Sequence, residues 1–200
     1  MISPAALLTV CVDFKHPAAY LALAPTLALA NRLNLAIDWV PKRIPLPRGP
    51  SEPAGEDRGS QHRRLRHEYV LRDLRRYGPQ GIDRPPAGDS TLPALGLLRV
   101  RRDCPARLSQ FVAAMFDAIW AKREAMNDAH LIAGLVAAAG ADGGGLAEAA
   151  DDLDAIEAAL TERGIFNVPA YIVDDEVFFG RAHLPMVEWI IRGREGQGPI

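Results

Sequence analysis

Phe14, Lys15, His16 and Pro17 sit where an apolar, β-branched run ends and a helix-like run begins. An ammonium, an imidazole and a helix-starting proline in succession could hold an anion. A helix N-terminus carries roughly half a positive charge, and its unpaired N–H groups bind anions. That end disfavours an imidazolium, so His16 is expected to be neutral, with one N–H to donate and one lone pair. It could hydrogen-bond a thiolate, or take a thiol proton as a general base. Lys15 would attract a carboxylate. The same residues also make an ordinary connection: Pro17 suits a first helical turn, where its missing N–H costs nothing, and His16 is then a helix-start residue without chemistry. Both readings of His16 stand at this point.

The elements that must position this turn can be read around it. "ALLTVCVDF" has the β-branched apolar content of a buried strand. In "AAYLALAPTLALANRL", Tyr20, Leu23, Leu27, Ala30 and Leu33 recur at helical spacing, with Pro25 as a kink or an early helical residue. "LNLAIDWVP" is a second strand, stopped by Pro41. Strand, helix, strand in this span is a βαβ unit with parallel strands. Residues 41–60 hold five prolines and three glycines, a composition for a long surface loop.

A helix resumes over 61–77, with Leu65, Tyr69 or Val70, Leu74 and Tyr77 as its expected buried stripe. Its six arginines are read as a solvated face. Three further helices are expected at 89–101, 105–123 and 128–139, and a fourth at 146–163, closed by Gly164. The period then changes. "VPAYIV", "DDE" and "VFFG" give strand, turn, strand, and "HLPMVEWIIRG" gives a closing helix. Pro169 cannot donate to a sheet ladder and must start its strand or lie at an edge. Trp39, Trp120 and Trp189 lie in apolar periodic contexts and are expected in the core. His62 and His67 are expected to be exposed. Asp13 is either a buried strand-end carboxylate or an anion partner of the helix start.

Composition excludes several classes. The 23 basic and 25 acidic residues give a net charge of −2, which does not call for nucleic acid. No apolar run approaches the ~20 residues of a membrane span, and "MISPAALLTVCV" reads as a strand rather than a signal peptide. A soluble, cytoplasmic chain with no membrane partner is expected. Cys11 and Cys104 form no C-x-x-C and are expected as reduced, buried thiols. No Cys/His cluster has metal-ligand spacing.

The stretches "VDFKHPAAYLA", "HRRLRHEYVLRDLRRYG" and "GIFNVPAYIVDDEVFFGRAHLPMVEWII", with the order of elements, resemble the DsbA-like thioredoxin superfamily. Within it they resemble the branch of 2-hydroxychromene-2-carboxylate isomerases and kappa-class glutathione transferases. The resemblance covers essentially the whole chain. It implies an α/β thioredoxin-like fold (βαβ…ββα, four-stranded mixed sheet) with a large all-helical insertion. Residues 1–60 and 164–200 would form the thioredoxin-like domain and 61–163 the insertion. It implies that Pro169 is cis and faces the first helix. It implies glutathione as cofactor, its cysteine backbone bound to the main chain of Val168, and a homodimer.

In such relatives a serine at the first helix holds the glutathione sulfur as thiolate. The thiolate adds reversibly to an aromatic or electrophilic small molecule, permits rotation about a double bond and is expelled. Here His16 stands in the serine's place. Arg181, Ala182 and His183 stand where relatives have Ser-Asp-Arg or Asn-Asp-Arg, so the acid that meets the γ-glutamyl amine is missing. Lys15 and Arg181 are the cations that could meet a carboxylate, and His183 is either a cleft residue or solvent-facing. The reading that follows is a glutathione-dependent isomerase or transferase with His16 as its catalytic residue. Its rivals are a catalytically silent thioredoxin-like binding protein and a thiol-disulfide oxidoreductase. The absence of C-x-x-C argues against the last.

Overall fold

The computed structural model describes residues 7–45 and 58–199. Most of the proline-rich stretch, 46–57, lies outside them.

Four strands form one sheet in the order β2-β1-β3-β4. They are β1 (Leu7–Val12), β2 (Ala36–Pro41), β3 (Ala170–Val173) and β4 (Glu176–Phe179). β1 and β2 are parallel, while β1–β3 and β3–β4 are antiparallel. The first pair is joined by helix α1 (Pro17–Leu33), as a parallel crossover requires. Pro17 occupies its first turn. Asn34 ends it in the left-handed region, at φ 51°, a conformation that a short polar side chain tolerates. Pro25 lies inside α1 on its exposed side, opposite the buried Ala22, Thr26 and Leu29.

The insertion supplies α2 (Arg58–Tyr77), α3 (Thr91–Asp103), α4 (Leu108–Phe116), α5 (Ala129–Ala138) and α6 (Ala150–Glu162). The closing helix α7 spans Leu184–Ile191. No described helix is long and apolar enough to cross a membrane. The single helix expected over 105–123 is broken into a 3₁₀ turn at Pro105–Arg107, α4, and a π-helical turn at Asp117–Ala121. The helix expected from 146 begins with a 3₁₀ turn, Leu146–Ala149. Gly164 follows α6 at φ 83°, as its place after a helix end required.

Polar bonds fasten the insertion along β2. Asp38 accepts two bonds from Arg101, at 2.6 and 2.8 Å. Trp39 donates its indole N–H to Ser109 Oγ at 2.9 Å. The buried Lys42 ammonium meets the Glu157 carbonyl and Thr161 Oγ1 on α6. Arg43 bonds Glu157, Asp154 and Thr91. Buried side chains of the sheet and the insertion belong to one apolar cluster, so the helices share the core of the sheet.

The expected stripe of α2 is buried only in part. Leu74 is fully buried and Val70 half-buried, but Leu65, Tyr69 and Tyr77 are 58%, 65% and 59% exposed. Helical spacing marks a face, and only what packs on that face decides burial; here the cover reaches Val70 and Leu74. Trp189 is half-buried rather than core, and so is Cys104. His62 is exposed, and the side chain of His67 lies outside those described. Leu74→Ala should therefore destabilise the chain by about 2–5 kcal/mol, and Leu65→Ala by less than about 0.5 kcal/mol. Urea unfolding of the two variants checks this; equal losses would contradict it.

Candidate functional site

The turn between β1 and α1 is built around Asp13, which is 2% exposed. Its Oδ1 accepts the Lys15 N–H at 3.2 Å and its Oδ2 the Ile44 N–H at 2.8 Å. The Lys15 ammonium lies 3.9 Å from Oδ2. Burial raises the Asp13 pKa, and the bonds and charge around it offset part of that rise. Asp13 is thus the buried strand-end carboxylate, and it joins the turn to the chain leaving β2.

The Asp13 carbonyl also accepts the His16 N–H at 3.0 Å, and the His16 carbonyl accepts the first helical bond, from Tyr20, at 3.1 Å. The His16 side chain does not cap the helix. It is buried, and its Nδ1 has no hydrogen-bond partner among the described residues. Burial, and then the charge of Lys15, lower its pKa to about 4. The imidazole is neutral at pH 7. A neutral imidazole carries one N–H donor and one acceptor nitrogen.

The β1–β3 register sets Cys11 opposite Ala170. It brings Val168 and Pro169 to the end of the sheet where the turn lies. Their peptide bond is cis, as the resemblance implied. Val168 is buried and its N–H meets Asn167 Oδ1 at 2.9 Å. The Pro169 carbonyl accepts the Gly180 N–H at 2.9 Å, where Gly180 takes φ 83°. Strand β3 and the start of the last helical segment are thereby held together.

The remaining candidates divide. Lys15 stays at the turn beside Asp13. Arg181 is not a free cation: Asp73 of α2 accepts two bonds from it, at 2.9 and 3.0 Å, and its guanidinium lies 4.7 Å from the Tyr77 ring centroid. His183 is exposed in a 3₁₀ turn, with Nδ1 2.6 Å from the Phe179 carbonyl oxygen; it faces solvent. Both cysteines are free. Burial, helped by the charge of Asp38, pushes the Cys11 thiol up to about 12, so it supplies no thiolate at neutral pH. A cavity of about 510 Å³ is lined by Ile37, Asp38, Leu98, Arg101 and Ile156. It opens at the N-terminal end of β2, the opposite end of the parallel pair from the turn, and is separate from the candidate site.

One contributor was not legible as such. Trp120 is fully buried, as expected of core, but its indole N–H donates to the Phe14 carbonyl at 2.7 Å, and its ring stacks on Tyr20 at 4.4 Å. Phe116 packs on Phe14 at 5.0 Å between ring centroids. An apolar helix with one tryptophan carries no signal for that bond.

Comparison with known proteins agrees with this arrangement. A family model, the DSBA-like thioredoxin domain, matches residues 10–192. The chain belongs to that family. Among solved structures, a 2-hydroxychromene-2-carboxylate isomerase superposes with a TM-score of 0.69 at 23% identity, over 94% of this chain and 95% of that one. The cytosolic disulfide reductase DsbM from Pseudomonas aeruginosa, solved with GSH, gives 0.51 at 18%, over 86% and 88%. Reduced DsbA from Mycobacterium tuberculosis gives 0.52 at 14%, over 100% and 87%. At these identities the likeness is one of fold. Comparison with curated proteins gives no match. The thioredoxin-like sheet and the inserted helices read from the sequence are those of this family.

The state of His16 has a consequence for stability. Unfolded, an imidazole takes a proton near 6.5; folded, His16 does so near 4. Between those values the unfolded chain binds more protons. Stability present above pH 6.5 is therefore lost as pH falls toward 4, by up to about 3 kcal/mol. Asp13, with a raised pKa, contributes in the opposite sense above its ordinary 3.8, and equally in wild type and variant. Tm measured from pH 7 to 4 should fall more steeply for wild type than for His16→Gln. Parallel profiles would contradict a neutral, buried His16.

Proposed function

We propose that this DSBA-like thioredoxin-domain protein is a glutathione-dependent isomerase or transferase of the 2-hydroxychromene-2-carboxylate isomerase type. Its substrate class is an aromatic or otherwise electrophilic small molecule. The observation that carries the reading is His16: a neutral, buried imidazole with no partner at Nδ1 among the described residues, at the N-terminus of α1 and at the same sheet end as cis-Pro169.

Each part of that site has a task. The main chain at Val168 would hold the cysteine backbone of glutathione. The start of α1 favours the thiolate over the thiol. The ring N–H of His16 would donate to the sulfur and take the role of the relatives' serine. With its pKa lowered to about 4, the ring holds a thiol proton weakly; it acts by donating a hydrogen bond rather than as a base. Glutathione bound there would supply a thiolate for reversible addition to an electrophilic double bond, whose π pair would pass to the conjugated acceptor and return as the thiolate leaves; the chain would bind and orient it. Lys15, beside Asp13, is the cation left near the turn for a carboxylate. The pairing of Arg181 with Asp73 takes it out of that role and favours the second reading, a silent binding protein that keeps the cleft.

Titration calorimetry with reduced glutathione at millimolar concentration should show binding. No heat, together with no electrophile turnover in the presence of glutathione, would leave the silent module. Insulin reduction should be absent, because no cysteine pair lies at the turn; measurable reduction would overturn the assignment in favour of thiol-disulfide chemistry.

A further inference from the structure

We infer that Trp120, carried by the π-helical turn of the insertion, is a positioning residue that sets the β1–α1 turn and with it the orientation of His16. The inference deepens the glutathione-site reading and rests on it for its meaning, but the contact itself does not depend on glutathione.

The π-helical turn at Asp117–Ala121 directly continues α4. Such a turn adds a residue to the helical circumference and re-aims the side chains that follow; it is often found at functional sites. Here it directs Trp120 across 106 positions of sequence to the carbonyl of Phe14, two residues before His16, at 2.7 Å. The Phe14 carbonyl belongs to a segment that has left the sheet and has not yet entered α1, so no ladder or helical partner is prescribed for it. A buried carbonyl without a partner is destabilising, and Trp120 removes that penalty.

The indole also stacks on Tyr20 with an interplanar angle of 4°, and Tyr20 N–H is the donor to the His16 carbonyl. One side chain therefore grips both sides of His16, through Phe14 before it and Tyr20 after it. Phe14, Phe116 and Trp120 are each no more than 1% exposed. Among the described residues, the charge acting on the histidine is that of Lys15, which lies 3.9 Å from Asp13. The ring is buried, and the residues that flank it on both sides are anchored by Trp120.

The test compares Trp120→Phe with Trp39→Phe in the full chain. Trp39 is equally buried and donates its indole N–H to Ser109, away from the turn. Both variants should lower Tm. Only Trp120→Phe should let water reach His16, seen in the NMR of its ring protons as titration closer to the ordinary 6.5 than to 4. Only Trp120→Phe should weaken glutathione binding, by up to about tenfold. If both variants leave the His16 titration in place, or both move it alike, Trp120 is a core residue and the inference fails. If wild type binds no glutathione, the titration still decides the role of Trp120, while the glutathione reading fails separately. Should Trp120→Phe not fold, benzothienylalanine at position 120 keeps the ring shape and exchanges N–H for sulfur. It must then produce the same titration change, and an unchanged titration overturns the inference.

Discussion

The buried carboxylate of Asp13 is the interaction on which the candidate site depends. It accepts main-chain N–H groups from both sides, Lys15 ahead of α1 and Ile44 beyond β2. A carboxylate in an apolar interior is unfavourable unless its oxygens are bonded; once bonded, it fixes whatever bonds it. Here that is the turn carrying Lys15 and His16. The start of α1 is therefore placed against two parallel strands, and the register of β3 then brings cis-Pro169 to the same edge.

Around that fixed turn the chemistry follows from exclusion of water. His16 is neutral because it is buried and because Lys15 and the helix start both oppose a positive ring. A neutral donor at a helix N-terminus suits a soft anion such as a thiolate, and does not suit redox exchange in a chain whose buried cysteine has its thiol pushed up to about 12. The family fold hosts both kinds of chemistry among its solved members, so residues at the turn, rather than the fold, separate them. The insertion contributes to the same end. It closes over the turn through Trp120 and is itself tied to β2 through Asp38, Trp39, Lys42 and Arg43.

Much of this was legible in the residues. β-branched runs and proline placement marked all four strands, Pro17 marked the start of α1, and Pro169 marked a position that a sheet interior could not accept. These are local constraints, set by backbone geometry. What was not legible depended on neighbours far along the chain. Leu65 and Leu74 have the same spacing credentials, and only packing makes one exposed and the other buried. Arg181 looked available until Asp73, 108 positions away, claimed it. Trp120 looked like core because nothing in an apolar helix announces a π-helical turn or an indole bonded to a carbonyl 106 residues earlier.

The central claim is that His16 donates a hydrogen bond to a glutathione thiolate at the start of α1. Ultraviolet difference spectroscopy of glutathione bound at saturating concentration measures that thiolate directly. The account predicts thiolate absorbance for the wild-type complex at neutral pH and its loss in the His16→Ala complex at equal occupancy. Thiolate absorbance that is unchanged by the substitution would contradict it.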